Sequence, residues 1–293
     1  MPLNSALVYV ITLNWNHCDD TLDFLASASR LTYVPCRILV VDNASTDGSV
    51  AAIAGRYANV EQIVNDCNLG FAAGVNVGIR HALAHGAEWL LLANNDTHFE
   101  PDLLDRLVEA AQQEDADLAQ PWILYDSEPE QVWLAGGWRR QATLEIVRAR
   151  PDRSARSDRP FEVDFVTACG MLMRRRCVES VGLFDERFFM YYEDSDYCLR
   201  ARAAGCRALV VPQARMWHRV AATIGGIDSP NERYHMALSS VLFFRKHVRN
   251  WRWLIVGPYR TGSAIKTVMR LLAARRSRAA WAYLRGLYDG VRR

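Results

Sequence analysis

Glu193-Asp194-Ser195-Asp196 puts three carboxylates within four residues, directly after the bulky run Phe188-Phe189-Met190-Tyr191-Tyr192. Acids in the first turn of a helix are favoured by its dipole, which accounts for the composition alone. It does not account for five apolar or aromatic residues standing beside them. Such a setting raises a carboxylate pKa and shapes a pocket for a sugar ring, so a catalytic group is expected here. Asp96 ends the run Asn94-Asn95-Asp96 and is a hard oxygen donor suited to Mg2+ or Mn2+ bridging a diphosphate. The two asparagines supply no charge, so a metal would need a further ligand. His218, between Trp217 and Arg219, reads by itself as a structural histidine, yet imidazole is a fitting partner for a metal with one carboxylate.

Two more polar clusters accompany these, Asn14-Trp15-Asn16 and Asp42-Asn43-Ala44-Ser45-Thr46-Asp47-Gly48. Either alone is equally well explained as turn chemistry. Together with Asn94 to Thr97 they follow three apolar runs, and ligands of open parallel sheets bind beyond the carboxyl ends of strands. Gly70, Gly74 and Gly78 form a small-residue stripe on one helix, which predicts close packing on a sheet rather than the dinucleotide spacing. Asn76 is the polar exception on that helix and a candidate for reaching a nucleotide.

The elements that must position these groups alternate. Leu7–Leu13, Ile38–Val41, Val60–Val64 and Trp89–Ala93 read as buried parallel strands. Between them fall helices at Thr21–Arg30, with Asp19 or Asp20 as N-cap, and at Ala72–Ala84, and Pro101 opens another in its first turn. That order predicts a mostly parallel sheet flanked by helices. Trp138–Pro160, with seven arginines, reads as an exposed loop or hairpin between two halves. Strands at Phe165–Ala168 and Met171–Met173 follow, then a helix from Ser195 to Ala204 stopped by Gly205. The last 60 residues read as helices interrupted near Gly257-Pro258.

Composition narrows the class. Half of the 293 residues are hydrophobic, which excludes wholesale disorder. Residues 233–293 carry 14 Lys and Arg against one acid, a net +13, leaving −11 on the first 232 residues. Such a basic tail suits nucleic acid or an anionic membrane surface. No nucleic-acid motif accompanies it, so nucleic acid is not an expected partner. The seven cysteines form no C-x-x-C pair and read as reduced thiols of a cytoplasmic protein. The short apolar run Ala6 to Leu13 lacks a basic flank and reads as a strand, not a signal peptide, and no run reaches 18 apolar residues.

Taken in order, the motifs TLNWN (Thr12–Asn16), VDNASTDGS (Val41–Ser49), NLGFAAGVNVGI (Asn68–Ile79), LLANNDT (Leu91–Thr97) and GLFDERFFMYYEDSDYCLRARAAG (Gly182–Gly205) resemble glycosyltransferase family 2, and within it the rhamnosyltransferase-like branch. The resemblance implies a GT-A fold over residues 1–230, with a nucleotide-sugar half to about 125 and an acceptor half beyond it. Residues 231–293 remain as a basic helical appendage. It implies that Asp42 contacts the nucleoside in a pocket lined by Asn14, Asn16 and Asn76. Asn94-Asn95-Asp96 takes the place of the family's D-x-D, with only the last acid kept, and His218 falls where related enzymes put a metal-binding histidine. Asp194 matches the catalytic base, with Tyr191, Tyr192 and Glu193 beside the acceptor. The implied reaction is inverting transfer from a nucleotide diphosphate sugar, dTDP-L-rhamnose by resemblance, to a glycan or polyprenyl-linked acceptor, with Mg2+ or Mn2+. A sugar nucleotidyltransferase is the rival, though it calls for a glycine-rich basic loop where this chain has Asn-Trp-Asn-His. A non-catalytic sugar-binding homologue is another, against which both Asp96 and Asp194 speak. From Ile265 to Tyr288 apolar residues recur at helical spacing among arginines, which predicts a peripheral anchor on the inner face of the cell membrane.

Overall fold

The computed structural model describes residues 6–149, 159–220 and 228–293. The chain begins β1 (Val8–Asn14), α1 (Cys18–Ala28), β2 (Cys36–Asp42), α2 (Ser49–Arg56), β3 (Glu61–Val64), α3 (Gly70–Ala84) and β4 (Trp89–Ala93). These strands pair in parallel in the order β3-β2-β1-β4, so the four chain turns that leave them open on the same sheet edge. Every residue of β4 is buried, as its unbroken apolar run requires. The glycine stripe packs as its spacing predicts: a methyl at Gly74 would meet Leu13 at 2.6 Å, and one at Gly78 would meet Ile11 at 2.6 Å.

The α1 helix departs from expectation at its start. It begins at Cys18, and neither Asp19 nor Asp20 caps it. The cap comes from the β2 turn, where the Asp47 carboxylate accepts from the Cys18 N–H at 3.0 Å and also from the Ser49 N–H at 3.1 Å. One aspartate thus satisfies the first turns of two helices.

The second half is mixed rather than parallel. It continues with β5 (Thr97–Phe99), α4 (Leu103–Gln113), β6 (Leu118–Tyr125), β7 (Val132–Leu134), β8 (Gly137–Arg139), β9 (Ile146–Arg148), β10 (Phe161–Val163), β11 (Gly170–Arg174), α5 (Arg175–Val181), α6 (Glu193–Ala203) and β12 (Ala208–His218). β11 lies antiparallel between β4 and β6, and β12 runs parallel to β6. Pro101 sits in the turn before α4 rather than within it. Phe165–Ala168 is not a strand; Phe165 makes one isolated bridge to Gly137, and the backbone instead turns toward the sheet edge. The arginine-rich stretch holds the β8–β9 hairpin, and its residues 150–158 lie outside the described residues. Apolar side chains fill both faces of the sheet, α3 and α6 on one and α1 and α4 on the other.

The C-terminal part is helical: α7 (Pro230–His247), α8 (Trp253–Ala273) and α9 (Ser277–Arg292). Ser229 caps α7 by accepting from the Glu232 N–H at 3.2 Å. Pro258 does not interrupt α8, which runs through it. The proline lacks the N–H that would bond the Leu254 carbonyl, and Leu254 is exposed. The actual breaks fall between α7 and α8 and at Ala274–Arg276. Among the described residues no helix is long and apolar enough to cross a membrane.

Candidate active site

A cleft of about 1070 Å³ opens at the carboxyl edge of β1, β2 and β4 and extends beneath α7. Its inner floor is a hydrogen-bonded lattice. The Asn14 amide donates to Asp42 at 2.6 Å and to the Ser45 hydroxyl at 3.1 Å, while its carbonyl accepts from Thr21 at 2.8 Å. Asp42 also takes the Ser45 N–H at 2.7 Å, and Asn95 donates to Thr21 at 2.9 Å. Asn14 and Asp42 are completely buried under the cleft surface. Asn16 is exposed in the left-handed region (φ 55°), and its carbonyl accepts from the Thr46 N–H at 2.7 Å. The side chains that face the opening at this end are Trp15, His17, Asn43 and Asn68, with Asn95. Trp15 offers an exposed aromatic plane between two asparagines that attracted more notice in the sequence.

Asn76 does not join this set. Its amide donates to the Phe184 carbonyl at 2.9 Å and to Glu186 at 3.0 Å, and its carbonyl accepts from the Phe184 N–H at 3.0 Å. With no exposed surface and its groups engaged, it ties α3 to the chain entering α6.

Strand register brings Asp96 and His218 together. β5 folds back antiparallel on β12 with Thr97 opposite His218, and the Arg219 N–H donates to the Asp96 carbonyl at 2.9 Å. His218 Nε2 then stands 3.2 Å from Asp96 Oδ1, both side chains buried, with the Trp133 ring edge-on to the imidazole at 4.6 Å. Burial alone would disfavour the imidazolium, but the neighbouring Cys169 and Asp96 favour it, and the His218 pKa is pushed up to about 11. The pair faces the cleft. Among the described residues no three His, Cys, Asp or Glu side chains converge as a metal cage. One carboxylate and one imidazole still suit a divalent cation that completes its shell with diphosphate and water, as Mg2+ commonly does. Binding would displace the imidazolium proton.

The opposite wall is the start of α6. Tyr191 and Tyr192 both have positive φ (68° and 67°), a strained pair that turns the chain so that Glu193 and Asp194 open the helix facing the cleft. Asp194 accepts from the Ser195 N–H at 2.7 Å, from the Thr167 hydroxyl and from the Ala168 N–H. Burial nevertheless raises its pKa. Glu193 is raised well above the ordinary carboxylate value by burial and by the Asp194 charge, and its Oε2 has no hydrogen-bond partner among the described residues. Of the two, Asp194 has more protein donors favouring its charged form, and Glu193 is the more strongly raised. Asp196, two residues past Asp194, points away: completely buried, it binds Arg200 at 2.8 Å, Lys246 at 2.6 Å and His247 at 2.7 Å. Tyr191 and Tyr192 both line the cleft, and Tyr192 also packs against Phe243 and Phe244 of α7. Arg139, which the sequence did not single out among seven arginines, also lines the cleft and donates to the Ser195 carbonyl at 3.0 Å.

The arrangement is a hydrogen-bonded polar floor, a cation-suited pair and a buried carboxylate around one opening. The family model described as glycosyl transferase family 2 matches residues 9–182. The N-acetylglucosaminyl-diphospho-decaprenol L-rhamnosyltransferase of Mycobacterium tuberculosis is 30% identical over 280 residues, covering 87% of this chain and 90% of that one. The dTDP-rhamnosyl transferase RfbF of Shigella flexneri is 24% identical, with 82% of this chain and 80% of that one covered. The Pyrobaculum calidifontis mannosyltransferase PcManGT, solved with GDP-Man and Mn2+, superposes with a TM-score of 0.62 at 15% identity, over 99% of this chain and 88% of that one. That likeness shows the shared GT-A fold. With the family model spanning more than half of the chain, the protein belongs to glycosyl transferase family 2.

Proposed function

We propose that the protein transfers L-rhamnose from dTDP-L-rhamnose, with inversion, to a hydroxyl of a polyprenyl diphosphate-linked glycan, using a divalent cation. The observation that carries this reading is the shared cleft, with the Asp96–His218 pair on one wall and the raised-pKa Asp194 on the other. The named rhamnosyl donors and lipid-linked acceptor of the relatives support the choice of substrates.

Asp194 takes the proton of the acceptor hydroxyl as that oxygen attacks the anomeric carbon from the face opposite the diphosphate. The new carbon–oxygen bond forms, the bond to the phosphate oxygen breaks, and dTDP leaves with the electron pair. A cation held by Asp96 and His218 would neutralise charge developing on the departing diphosphate. Asp42, Asn14, Asn16 and Asn95 fix the shape of the nucleoside end. Trp15 provides the surface on which a base stacks, and Tyr191 and Glu193 border the acceptor. One displacement suffices, with no enzyme nucleophile.

Peripheral seating on the inner face of the cell membrane fits the C-terminal helices. One face of α9 (Ala279, Ala280, Tyr283, Gly286) is buried, while Trp281, Leu284, Tyr288 and Val291 form an exposed stripe. Trp251, Trp253, Leu254 and Ile255 are exposed at the start of α8. With the net +13 of this region, these stripes match an anionic headgroup layer.

The deciding experiment incubates the protein with Mg2+, a lipid diphosphate-linked sugar acceptor and each of several nucleotide sugars. Release of dTDP from dTDP-L-rhamnose that depends on acceptor is expected. Acceptor-dependent turnover of a different donor alone would refute the rhamnosyl assignment, and release without any acceptor would refute transfer.

A further inference from the structure

Two guanidinium groups stand on adjacent phenyl rings at the acceptor end of the cleft. Arg139 lies 5.4 Å from the centre of the Phe243 ring, and Arg260 lies 4.7 Å from that of Phe244. The two rings are perpendicular with centres 5.3 Å apart, and Tyr192, which precedes Glu193-Asp194, packs on both. All five side chains line the cleft.

Neither arginine makes an ion pair among the described residues, in a protein whose arginines are widely paired. The Arg139 side chain donates to the carbonyls of Leu144 and Ser195, at 2.8 and 3.0 Å, and Arg260 to the neutral hydroxyls of Ser240, at 3.1 Å, and Tyr192. Burial lowers the Arg139 pKa, with Cys198, Asp194 and Asp164 opposing that without an ion pair. Glu145, the carboxylate on this side of the cleft, is engaged by the Tyr259 hydroxyl. Arg148, stacked 6.0 Å over Trp133, adds a third unpaired cation to the lining. A desolvated cation held by ring faces and carbonyls is short of an anion, and the fork of a guanidinium matches phosphate oxygens.

We infer that Arg139 and Arg260 form a second diphosphate subsite, one that grips the lipid-linked diphosphate of the acceptor and is distinct from the donor diphosphate position at Asp96 and His218. The inference rests on the proposed reading of the cleft as a lipid-acceptor glycosyltransferase site. Arg260 follows directly on the exposed Tyr259, and the same helix start exposes Trp253, Leu254 and Ile255. A prenyl chain leaving the subsite therefore meets apolar surface at once, while the sugar end reaches toward Asp194.

The test is calorimetric titration of the full chain with farnesyl diphosphate, with farnesol, and with dTDP plus Mg2+. The wild type should bind farnesyl diphosphate at least about tenfold more tightly than farnesol, since charge-assisted phosphate contacts supply the difference. Arg260→Gln should lose that preference, Arg260→Lys should keep part of it, and both should bind dTDP normally. Arg139→Gln should act in the same direction, with its melting curve reporting whether the buried site stays folded. Equal binding of farnesyl diphosphate by wild type and Arg260→Gln would overturn the subsite. So would competitive displacement of farnesyl diphosphate by dTDP, which would assign both arginines to the donor. A wild type that binds dTDP but not farnesyl diphosphate refutes the subsite alone, whereas one that binds neither refutes the glycosyltransferase reading as well.

Discussion

His247 Nε2, at the end of α7, stands 2.7 Å from Oδ1 of Asp196, two residues beyond Asp194 on α6. Lys246 bridges the same carboxylate and Asp185, at 2.6 and 2.7 Å. The C-terminal region therefore holds the helix that carries Asp194, the proposed base. Burial would raise the Asp196 pKa, but the hydrogen bonds from His247, Lys246 and Arg200 hold it below the ordinary value. A depressed carboxylate contributes stability above its unfolded pKa, and that contribution is lost as pH falls through the folded one. His247→Ala should cost about 1–3 kcal/mol near neutrality. The difference from wild type should narrow as the pH drops below about 4, where an unfolded aspartate protonates. Melting curves across pH would check this, and kcat should fall more than dTDP affinity.

Asp194→Asn keeps the shape of the base and removes its proton affinity. Turnover should fall by about 10²–10⁴-fold, the usual loss of a general base, with dTDP binding unchanged. Steady-state rates with calorimetry on the same sample would measure both. Undiminished turnover would reassign the base to Glu193.

Because the Asp194 pKa is raised and the base must be ionised, the acid limb of kcat/KM should lie above the range of an ordinary aspartate. Glu193 gives a related prediction for stability. Its folded pKa is raised, so its contribution is present below the unfolded pKa and is lost as pH rises toward the folded one. Glu193→Gln should therefore match wild type in acid and exceed it at neutral pH, with Tm higher by roughly 2–4 °C for each kcal/mol relieved. A variant less stable at every pH would show that the protonated carboxyl makes a bond that glutamine does not.

Chelation should stop transfer, and Mg2+ or Mn2+ should restore it. Asp96→Ala and His218→Ala should each raise the metal concentration needed for half-maximal rate, by about 10–100-fold, as loss of groups around a metal commonly does. Full activity in metal-free buffer would show that Asp96 and His218 hold no cation needed for transfer.

Leu254→Glu combined with Trp281→Glu should weaken sedimentation with anionic liposomes, since both side chains are exposed and apolar. Transfer to a short water-soluble acceptor should persist, because neither residue lines the cleft. Unchanged sedimentation would point to the arginines alone.

Much of this architecture is legible in the residues. β4 was expected at Trp89–Ala93 and lies there, because a strand buried on both faces leaves an unbroken apolar run with polar ends. Asp96, His218 and Asp194 line one cleft. What escaped depends on long-range geometry. The cap of α1 comes from Asp47, 29 residues away, so local spacing pointed to the wrong acids. Asn76 is polar on a helix with two faces, and only the position of Phe184 decides which it serves. Arg139 looked like any other arginine in its stretch; its lack of an ion pair became visible once its surroundings were known.

A methyl at Gly290 would press on Val241 at 2.8 Å, and one at Gly286 would collide with the Tyr234 carbonyl, so α9 is seated on α7 through two side-chain-free contacts. Since α7 in turn clasps Asp196, α9 and the helix that bears Asp194 are mechanically one piece. Clipping the C-terminus, the obvious way to ask whether it grips a membrane, would also unfasten the catalytic wall. Loss of activity in a truncated protein would thus be a report on cooperativity within the fold, silent about lipid.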